Sequence, residues 1–362
     1  MNTTGGGTGI LLMNLGGPAT LDGVAPFLLN VMADRDFIRM PLQRWLGPLT
    51  ARRRTQRLHE AYAAIGGGSP LLSWTEKQAR ALESRLDQRR PDAAPHHCYL
   101  AFRHTSPTAD DALRSMARDG IEHVVAFSQL PQWSCTTSGS LFIDLGEALL
   151  RTGMNQRFRW SFIDRWPAHA GFIGAMSERV REGLAHYPES ERGNVVLLFT
   201  ARAVPRYAAD RGDSYPHEVA TTVALVMEHL RLLNRHELGW QPDIRPANWL
   251  GPSTEALLRR LAAEGRKQVM VVPVACTGDQ LETLGSLDRE CATVAKSLGV
   301  TGYTRAATLN DLASFSDAMA SMVVEHLERD EPWSREYRRK CAECRDTRCR
   351  PAFEGMGERP AA

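Results

Sequence analysis

The sequence has no long apolar run and no excess of charge of one sign. No run of apolar residues approaches the roughly 20 that a membrane-spanning helix needs, so any membrane contact is expected to be peripheral. The 44 basic and 42 acidic residues nearly cancel, and neither sign forms long blocks. Charge therefore gives no indication of a nucleic-acid partner, and binding has to be inferred from individual sites.

A targeting presequence is also not recognisable. The first predicted strand begins near Ile10, behind a short leader rich in Gly and Thr, and this leaves no room for the charged, apolar and cleavable parts of a presequence. We therefore expect a cytoplasmic location. The seven cysteines, three of them in the tail, suit metal binding better than disulfides in a reducing cytosol.

Short runs of β-branched and aliphatic residues alternate with amphipathic stretches of helical length. This alternation predicts an α/β fold with parallel sheets built from βαβ units. The predicted strands cover residues 10–14, 99–103, 123–127, 162–164, 195–200 and 269–274, and helices are expected over 219–233 and 253–263. The simplest packing is two doubly wound domains, 1–165 and 166–330, followed by a cysteine-bearing tail, 331–362.

Polar and otherwise unusual residues follow most of the predicted strands. Ligands of open parallel sheets bind beyond the carboxyl ends of the strands, so these exits are the candidate site. The exits read NLGGP at 14–18, Arg103 and His104, QWSCTT at 132–137, TAR at 200–202, and CTGDQLE at 276–282.

These segments, with several others, resemble ferrochelatase, the enzyme that inserts ferrous iron into protoporphyrin to form haem. The matching motifs cover nearly the whole chain in order and include LMNLGGP at 12–18, Tyr62 with IGGGSP at 65–70, AFR at 101–103, IDRWP at 163–167, GDSYP at 212–216, WLGP at 249–252 and LETL at 281–284. The resemblance implies two Rossmann-like domains around a porphyrin cleft, a homodimer and a lip that faces a membrane. The tetrapyrrole-binding positions that it implies are Asn14, Leu15, Arg53, Tyr62, Ser69, Arg103, His169, Trp249, Cys276 and Gln280.

The lip corresponds to residues 40–49. Leu42, Trp45, Leu46 and Leu49, followed by three arginines at 52–54, suit an interfacial surface where apolar groups enter lipid and cations meet headgroups. The alternative is an ordinary helix that packs its apolar side inward. For His169, the alternative to a functional role is a helix-start residue satisfied by the backbone.

Cys341, Cys344 and Cys349 have the spacing C-x2-C-x4-C, which brings three thiolates around one soft metal centre. Spacing alone leaves the fourth ligand open and does not separate a zinc site from an iron-sulfur cluster. In ferrochelatases that carry a cluster, the same tail spacing is joined by a cysteine in the motif that here reads QWSCTT. The resemblance therefore implies a 2Fe-2S cluster held by Cys135 and the three tail cysteines.

The resemblance also identifies an altered centre. Metal insertion requires two pyrrole protons to leave, and histidine suits this task because its pKa lies near working pH. The family pattern has that histidine where this chain has Arg202, which cannot accept the proton. By the same comparison His104 replaces a tyrosine, Gln280 a histidine, Cys276 an aromatic residue and Ser286 an acidic residue, whereas Asp279 and Glu282 are kept.

Glu282, Arg202 and His104 are therefore the candidate catalytic residues. Glu282 is expected to accept a proton with His104 as partner, and Arg202 is expected to hold a carboxylate in bidentate fashion. An arginine paired with Asp213 or Glu218 is the alternative for Arg202.

Three functions are open. The preferred one is a repurposed enzyme that acts on an anionic small molecule or a modified tetrapyrrole. The second is an ordinary protoporphyrin ferrochelatase, a lyase of haem biosynthesis. The third is a noncatalytic porphyrin or haem binder.

Overall fold

The computed structural model describes residues 7–241, 248–329 and 331–333. The tail cysteines Cys341, Cys344 and Cys349 lie outside the described residues. The described part consists of two four-stranded sheets with helices around them.

The first sheet has the strand order β2-β1-β3-β4, and all its strands are parallel. Each connection between successive strands contains at least one helix, as parallel pairing requires. The elements are β1 Thr8–Asn14, α1 Val24–Ala33, α2 Gln43–Ala63, α3 Leu71–Arg89, β2 His97–Phe102, α4 Ala109–Arg118, β3 His123–Ser128, α5 Ser138–Thr152 and β4 Arg159–Ile163.

The second sheet has the order β6-β5-β7-β8, again with all strands parallel. A π-helix follows β7 instead of an ordinary α-helix. The elements are α6 Ala170–Ala185, α7 Glu189–Arg192, β5 Val196–Arg202, α8 Arg206–Asp210, α9 Tyr215–Leu230, β6 His236–Gln241, α10 Thr254–Ala263, β7 Gln268–Pro273, the π-helix Glu282–Cys291, α11 Ala292–Ser297, β8 Gly302–Arg305 and α12 Ala313–Arg329.

Alternate residues of the central strands pack into different apolar clusters. Leu11 and Met13 of β1 belong to a cluster confined to the first sheet and its helices, whereas Ile10 and Leu12 face a second cluster. That second cluster also contains residues of β5 such as Phe199, so it is shared by the two sheets. The shared core fixes the two sheets against one another, because close-packed interiors resist displacement.

The predicted α/β fold with two doubly wound sheets is confirmed, and all six predicted strands are present. Two strands, β6 and β8, were not predicted. Both lie at the edges of the second sheet, and all four residues of β8 are half-buried, so neither carries the apolar run typical of a central strand. The domain boundary at 165/166 stays a prediction.

Within the described residues no helix is long and apolar enough to cross a membrane.

The last described residues, which begin the tail, pack onto the first sheet. The carbonyl of Pro332 accepts a 2.7 Å hydrogen bond from the Phe162 amide, and the rings of Phe162 and Trp333 stack with centroids 4.4 Å apart. The tail thus begins at the β4 edge.

Candidate functional site

The strand order of each sheet contains one switch point, where successive connections leave in opposite directions. It lies between β1 and β3 in the first sheet and between β5 and β7 in the second. Open parallel sheets bind ligands beyond the carboxyl ends of the strands at such points. Asn14 ends β1 and Gln129 follows β3. Arg202 ends β5, and Cys276 follows β7. The candidate site therefore lies at the ends of four central strands.

The loop after β1 is held against the start of α3. The amide of Ser69 donates to the carbonyl of Pro18 at 2.6 Å, and Tyr62 and Ser69 are both buried. Gly16 has a φ of +84°, a conformation that side chains other than glycine rarely adopt. The predicted binding residues Asn14 and Leu15 thus sit in a fixed loop, where Leu15 packs into the first-sheet core.

Arg103 and His104, at the end of β2, are bound by a carboxylate that the sequence analysis did not single out. Both nitrogens of one edge of Arg103 donate to Asp34, and His104 Nε2 lies 2.9 Å from Asp34 Oδ2. Burial alone raises the pKa of Asp34, but the hydrogen bonds from Arg103 and His104 hold it well below its usual range. Burial lowers the pKa of His104, against the influence of Asp34. His104 is 3% exposed.

Arg202 ends β5 and forms an ion pair with Glu282 at the start of the π-helix. The two side chains are 23% and 26% exposed, so the pair lies at the surface of the cleft. Its guanidinium carbon lies 5.8 Å from the ring centroid of Phe37, and the same ring meets His104 edge-on at 5.4 Å. The Phe37 ring therefore contacts both His104 and Arg202. The expectation that His104 is the partner of Glu282 in proton transfer stays a prediction.

The turn between β7 and the π-helix carries two more predicted site residues. Gln280 donates to Cys276 Sγ at 3.5 Å, and burial raises the pKa of the Cys276 thiol. Asp279 lies 3.2 Å from an Arg305 nitrogen, and Arg305 also contacts Asp288 through two nitrogens, at 2.6 and 2.9 Å. Arginines therefore neutralise Asp279 of this turn and Glu282 and Asp288 of the π-helix.

Arg202 is paired with Glu282, whereas the alternative reading gave it Asp213 or Glu218. Those two carboxylates bind the QWSC loop. Asp213 Oδ2 accepts from Ser134 Oγ and from the Cys135 amide, both at 2.8 Å, and Glu218 Oε2 accepts from the Trp133 amide at 2.7 Å. The predicted cluster ligand Cys135 is therefore held by the second-sheet half of the chain.

The other predicted binding residues lie at varied places. Half-buried Trp249 pairs with Pro205 in the segment that follows β5, close to Arg202 in the chain. His169 is the residue just before α6, at the helix start that its alternative reading expected. Its Nε2 lies 3.3 Å from Glu325 of α12, so it is bound by a side chain. Arg53 is exposed on α2.

The apolar residues of the lip are exposed. Leu42 is 73% and Trp45 75% exposed, and Leu46 and Leu49 are each more than two-fifths exposed. The alternative in which this segment packs its apolar side inward is therefore wrong.

Across the described part of the chain, no group of three His, Cys, Asp or Glu residues is arranged to hold a metal ion.

Several residues that build the site were missed. Asp34, Phe37, Gln78 and Gln129 are all buried or nearly so in the loops and helices around the cleft. Gln78 carried a recognisable signal, because it falls on the mainly apolar stripe of α3 that contains Leu71, Leu82 and Leu86. The contacts of Asp34 depend on a long-range approach of β2 and had no such signal.

Comparison with known proteins gives the family. The family model for ferrochelatase matches residues 7–327. The mitochondrial ferrochelatase of Homo sapiens is 41% identical over 344 residues, which cover 95% of this chain and 81% of that protein. Those of Drosophila melanogaster and Schizosaccharomyces pombe are 40% and 38% identical, over 95% of this chain in both cases and 90% and 81% of theirs.

A solved structure supports the fold independently. SirB from Bacillus subtilis with Fe3+ superposes with a TM-score of 0.52 at 11% identity, and covers 88% of this chain and 95% of that one. At this identity the likeness concerns the fold alone. The family match and the three relatives show that the chain belongs to the ferrochelatase family.

Proposed function

We propose that this protein is a protoporphyrin ferrochelatase, which inserts ferrous iron to form haem. The observation that carries the proposal is the 41% identity to a named ferrochelatase across 95% of the chain. The similarity supports this function better than the repurposed enzyme that the altered centre first suggested. Asn14, Tyr62, Ser69, Arg103 and Trp249 are the proposed tetrapyrrole-binding residues.

In the proposed mechanism Glu282 accepts the two pyrrole protons one after the other, and passes each to the solvent that reaches its carboxylate. Its carboxylate is about a quarter exposed, whereas His104 is almost fully buried beside Phe37. A proton acceptor has to come within hydrogen-bond reach of the proton it takes. Glu282 therefore has to leave Arg202 when the porphyrin enters, and Arg202 then becomes available to a carboxylate of the substrate.

His104 has a supporting role in this proposal. An ionised Asp34 only accepts hydrogen bonds, so neutral His104 carries its proton on Nε2 and directs it to Asp34. The ring is thereby fixed against Phe37, which forms the wall next to Arg202. The Cys276 thiol, kept protonated by burial, does not act as a strong thiolate ligand that would retain the iron.

The repurposed enzyme remains the second candidate, and a specific observation favours it. Arg202 neutralises Glu282, and Arg305 neutralises Asp279 and Asp288, so the carboxylates nearest the centre are already paired with arginines. Such a surface suits an anionic substrate better than an arriving cation. Tight binding of porphyrin without conversion would instead support the noncatalytic binder.

We further propose that a 2Fe-2S cluster is bound by Cys135 and the three tail cysteines. Cys135 fits one ligand position, because its thiol is half-buried and its backbone is fixed by Asp213. When bound, the cluster supplies iron-thiolate bonds that link the tail to the rest of the protein.

The docked start of the tail supports this ligand set. Trp333 stacks on Phe162, which contacts Phe142, which in turn stacks on Trp133, two residues before Cys135. Cys341 is eight residues beyond Trp333, and an extended chain of that length spans roughly 26 Å.

The colour of the protein tests the proposed cluster. Aerobically purified protein is expected to be reddish brown, because iron-thiolate bonds absorb visible light. Cys135→Ser should lose the visible absorption and the iron, whereas Cys98→Ser should keep both.

The lip is proposed to contact a membrane surface, with the exposed Leu42 and Trp45 entering the lipid. The homodimer and the cytoplasmic location stay predictions of the sequence.

The proposed function is tested by anaerobic insertion of ferrous iron into protoporphyrin. Wild type is expected to form haem, and Glu282→Gln to lose at least about a hundredfold in rate, because removal of a general base commonly costs that much. The matched control is Glu255→Gln, which changes an exposed carboxylate paired with Arg259 on α10. Absence of haem with wild type, or equal rates for the two variants, contradicts the proposal.

A further inference from the structure

Gln78 on α3 uses both of its side-chain N–H donors to bind the other half of the chain. It is 1% exposed. Its Nε2 donates to the carbonyls of Thr277 and Asn310, at 2.9 and 2.8 Å, and its Oε1 accepts from Gln129 Nε2 at 2.8 Å. Both carbonyls follow β7 in the chain, whereas Gln78 and Gln129 belong to the first-sheet half.

On the first-sheet side the network reaches the loop after β1. Gln129 Oε1 lies 3.4 Å from Asn14 Nδ2 and 3.4 Å from Thr75 Oγ1. Asn14 in turn caps its own loop, since its Oδ1 accepts from the Leu15 amide at 2.8 Å. All of these side chains are at most 5% exposed.

On the other side the network reaches the turn that precedes Glu282. The Asn310 amide donates to the Thr277 carbonyl at 3.0 Å. The Asn310 side chain accepts from the Asp279 amide and donates to Asp279 Oδ2, both at 2.9 Å. Gln78 therefore contacts both residues that fix the backbone of the turn leading to Gln280 and Glu282.

We propose that Gln78 is a positioning residue that fixes the spacing between the two walls of the cleft, the Asn14 loop and the turn from Cys276 to Glu282. The physical reason is the cost of an unsatisfied buried group. If Gln78 is lost or displaced, the buried Asn310 carbonyl loses its hydrogen bond from Gln78, and the Thr277 carbonyl keeps only the one from the Asn310 amide. Loss of a buried hydrogen bond is far more costly than loss of an exposed one. The turn is thereby held in one position relative to α3.

The consequence for catalysis rests on the proposed function. If Glu282 accepts pyrrole protons from a porphyrin bound near Asn14, the distance between these two groups determines the rate of proton transfer, and small displacements are costly. The structural consequence, a fixed turn, does not depend on any activity.

The chain offers a matched control for Gln78. Asn234 is also a buried amide, 6% exposed, and its Nδ2 donates to two backbone carbonyls, Arg192 at 2.7 Å and Val195 at 2.8 Å. All three residues lie in the second-sheet half. Loss of the Asn234 amide therefore removes equivalent hydrogen bonds without affecting the contact between the halves.

The first experiment is hydrogen exchange, followed by mass spectrometry, on full-length Gln78→Met and Asn234→Leu. In Gln78→Met the amides of residues 279–282 are expected to exchange at least about tenfold faster than in wild type, as loss of a buried hydrogen bond implies. In Asn234→Leu the exchange of these amides should stay within about twofold. Equal exchange at 279–282 in both variants overturns the proposal.

A second variant covers the case in which Gln78→Met does not fold. Gln129→Met removes the donor to Gln78 Oε1 but does not itself touch the turn at 279–282. Faster exchange there would show that the network transmits the change, and unchanged exchange would contradict the proposal.

The insertion assay separates positioning from general stability. Gln78→Met is expected to lower kcat at least about tenfold with KM changed less than about threefold, because substrate contacts remain while the proton acceptor is displaced. Asn234→Leu should leave both constants unchanged. If wild type forms no haem, the proposed function fails, and the exchange measurement still decides the role of Gln78.

Discussion

Arg202 occupies the position where the resemblance places a catalytic histidine, and its ion pair with Glu282 gives that substitution a physical meaning. An arginine stays charged and only donates hydrogen bonds, so it holds the carboxylate that the proposed mechanism needs. The proposed enzyme thus works with its proton acceptor initially paired.

Replacement of this arginine gives the first prediction. Arg202→His should raise the rate of iron insertion at least about tenfold, because the imidazole releases Glu282 and itself accepts protons. Arg206→His, which changes an exposed arginine paired with Asp210 four residues along the chain, serves as control. A lower rate in Arg202→His than in wild type would contradict this prediction, and would mean that the contact between Arg202 and the substrate carboxylate contributes more than an added base.

His326 on α12 gives a prediction on pH and stability. It is 3% exposed, and burial lowers its pKa to about 4. Because the folded-state pKa lies below the unfolded value of about 6.5, the unfolded state binds the proton more readily. The free energy of unfolding should therefore fall as pH decreases from about 6.5 to 4, by up to about 3 kcal/mol from this residue.

The measurement is urea unfolding at several pH values. His326→Leu should show a shallower loss in this range, although buried His104, whose pKa is also lowered, still contributes with the same sign. His217→Leu removes an exposed histidine on α9 and should keep the wild-type slope. An unchanged slope in His326→Leu would be inconsistent with a buried neutral histidine.

Among the elements, the loop that follows β3 is notable for being held by a helix of the other half. Glu218 of α9 binds the Trp133 amide, and it also contacts Arg165, which lies over the Trp133 ring at 4.4 Å. Asp213, just before α9, binds Ser134 and Cys135. The conformation of the proposed cluster loop thus depends on the docking of α9.

Asp213→Asn tests this dependence. The side-chain amide of the introduced asparagine cannot accept all the hydrogen bonds that the Asp213 carboxylate accepts. The free energy of unfolding should therefore fall by about 1–3 kcal/mol. Asp210→Asn, which changes an exposed carboxylate of α8, should stay within about 0.5 kcal/mol of wild type. Equal stability of the two variants, measured by urea unfolding, would remove the basis for this coupling.

The lip on α2 gives a prediction about membrane binding. The double variant with Leu42→Ser and Trp45→Ser should bind vesicles containing phosphatidylserine at least about tenfold more weakly than wild type in co-sedimentation, because both exposed apolar side chains are removed. Leu233→Ser, at a fully exposed leucine elsewhere, is the control. Equal binding of the two proteins would show that the lip does not insert.

Among the helices and strands, the sequence predicted those that carry a regular apolar pattern. The central strands were recognisable because their apolar runs pack on both faces, as for β5 between two clusters. The edge strands β6 and β8 lack this pattern. In the site, the strand exits predicted Arg202, Cys276 and Glu282, but the contacts of Asp34 and Gln78 cross between distant segments, and no local pattern encodes them.

In the molecule as a whole, the shared core and the hydrogen bonds of Gln78 hold the two sheets together, so that their strand ends line one cleft. The residues around that cleft combine a scaffold typical of the ferrochelatase family with a centre in which arginines neutralise carboxylates. The proposed activity therefore depends on whether Glu282, initially paired with Arg202, still accepts protons.

The most direct test is a single-turnover experiment with wild-type protein in excess over protoporphyrin, under anaerobic conditions with ferrous iron. We expect the absorption spectrum of the bound porphyrin to convert to that of haem, with one haem formed per porphyrin bound. Porphyrin that binds but keeps its metal-free spectrum under these conditions would contradict the proposed ferrochelatase activity.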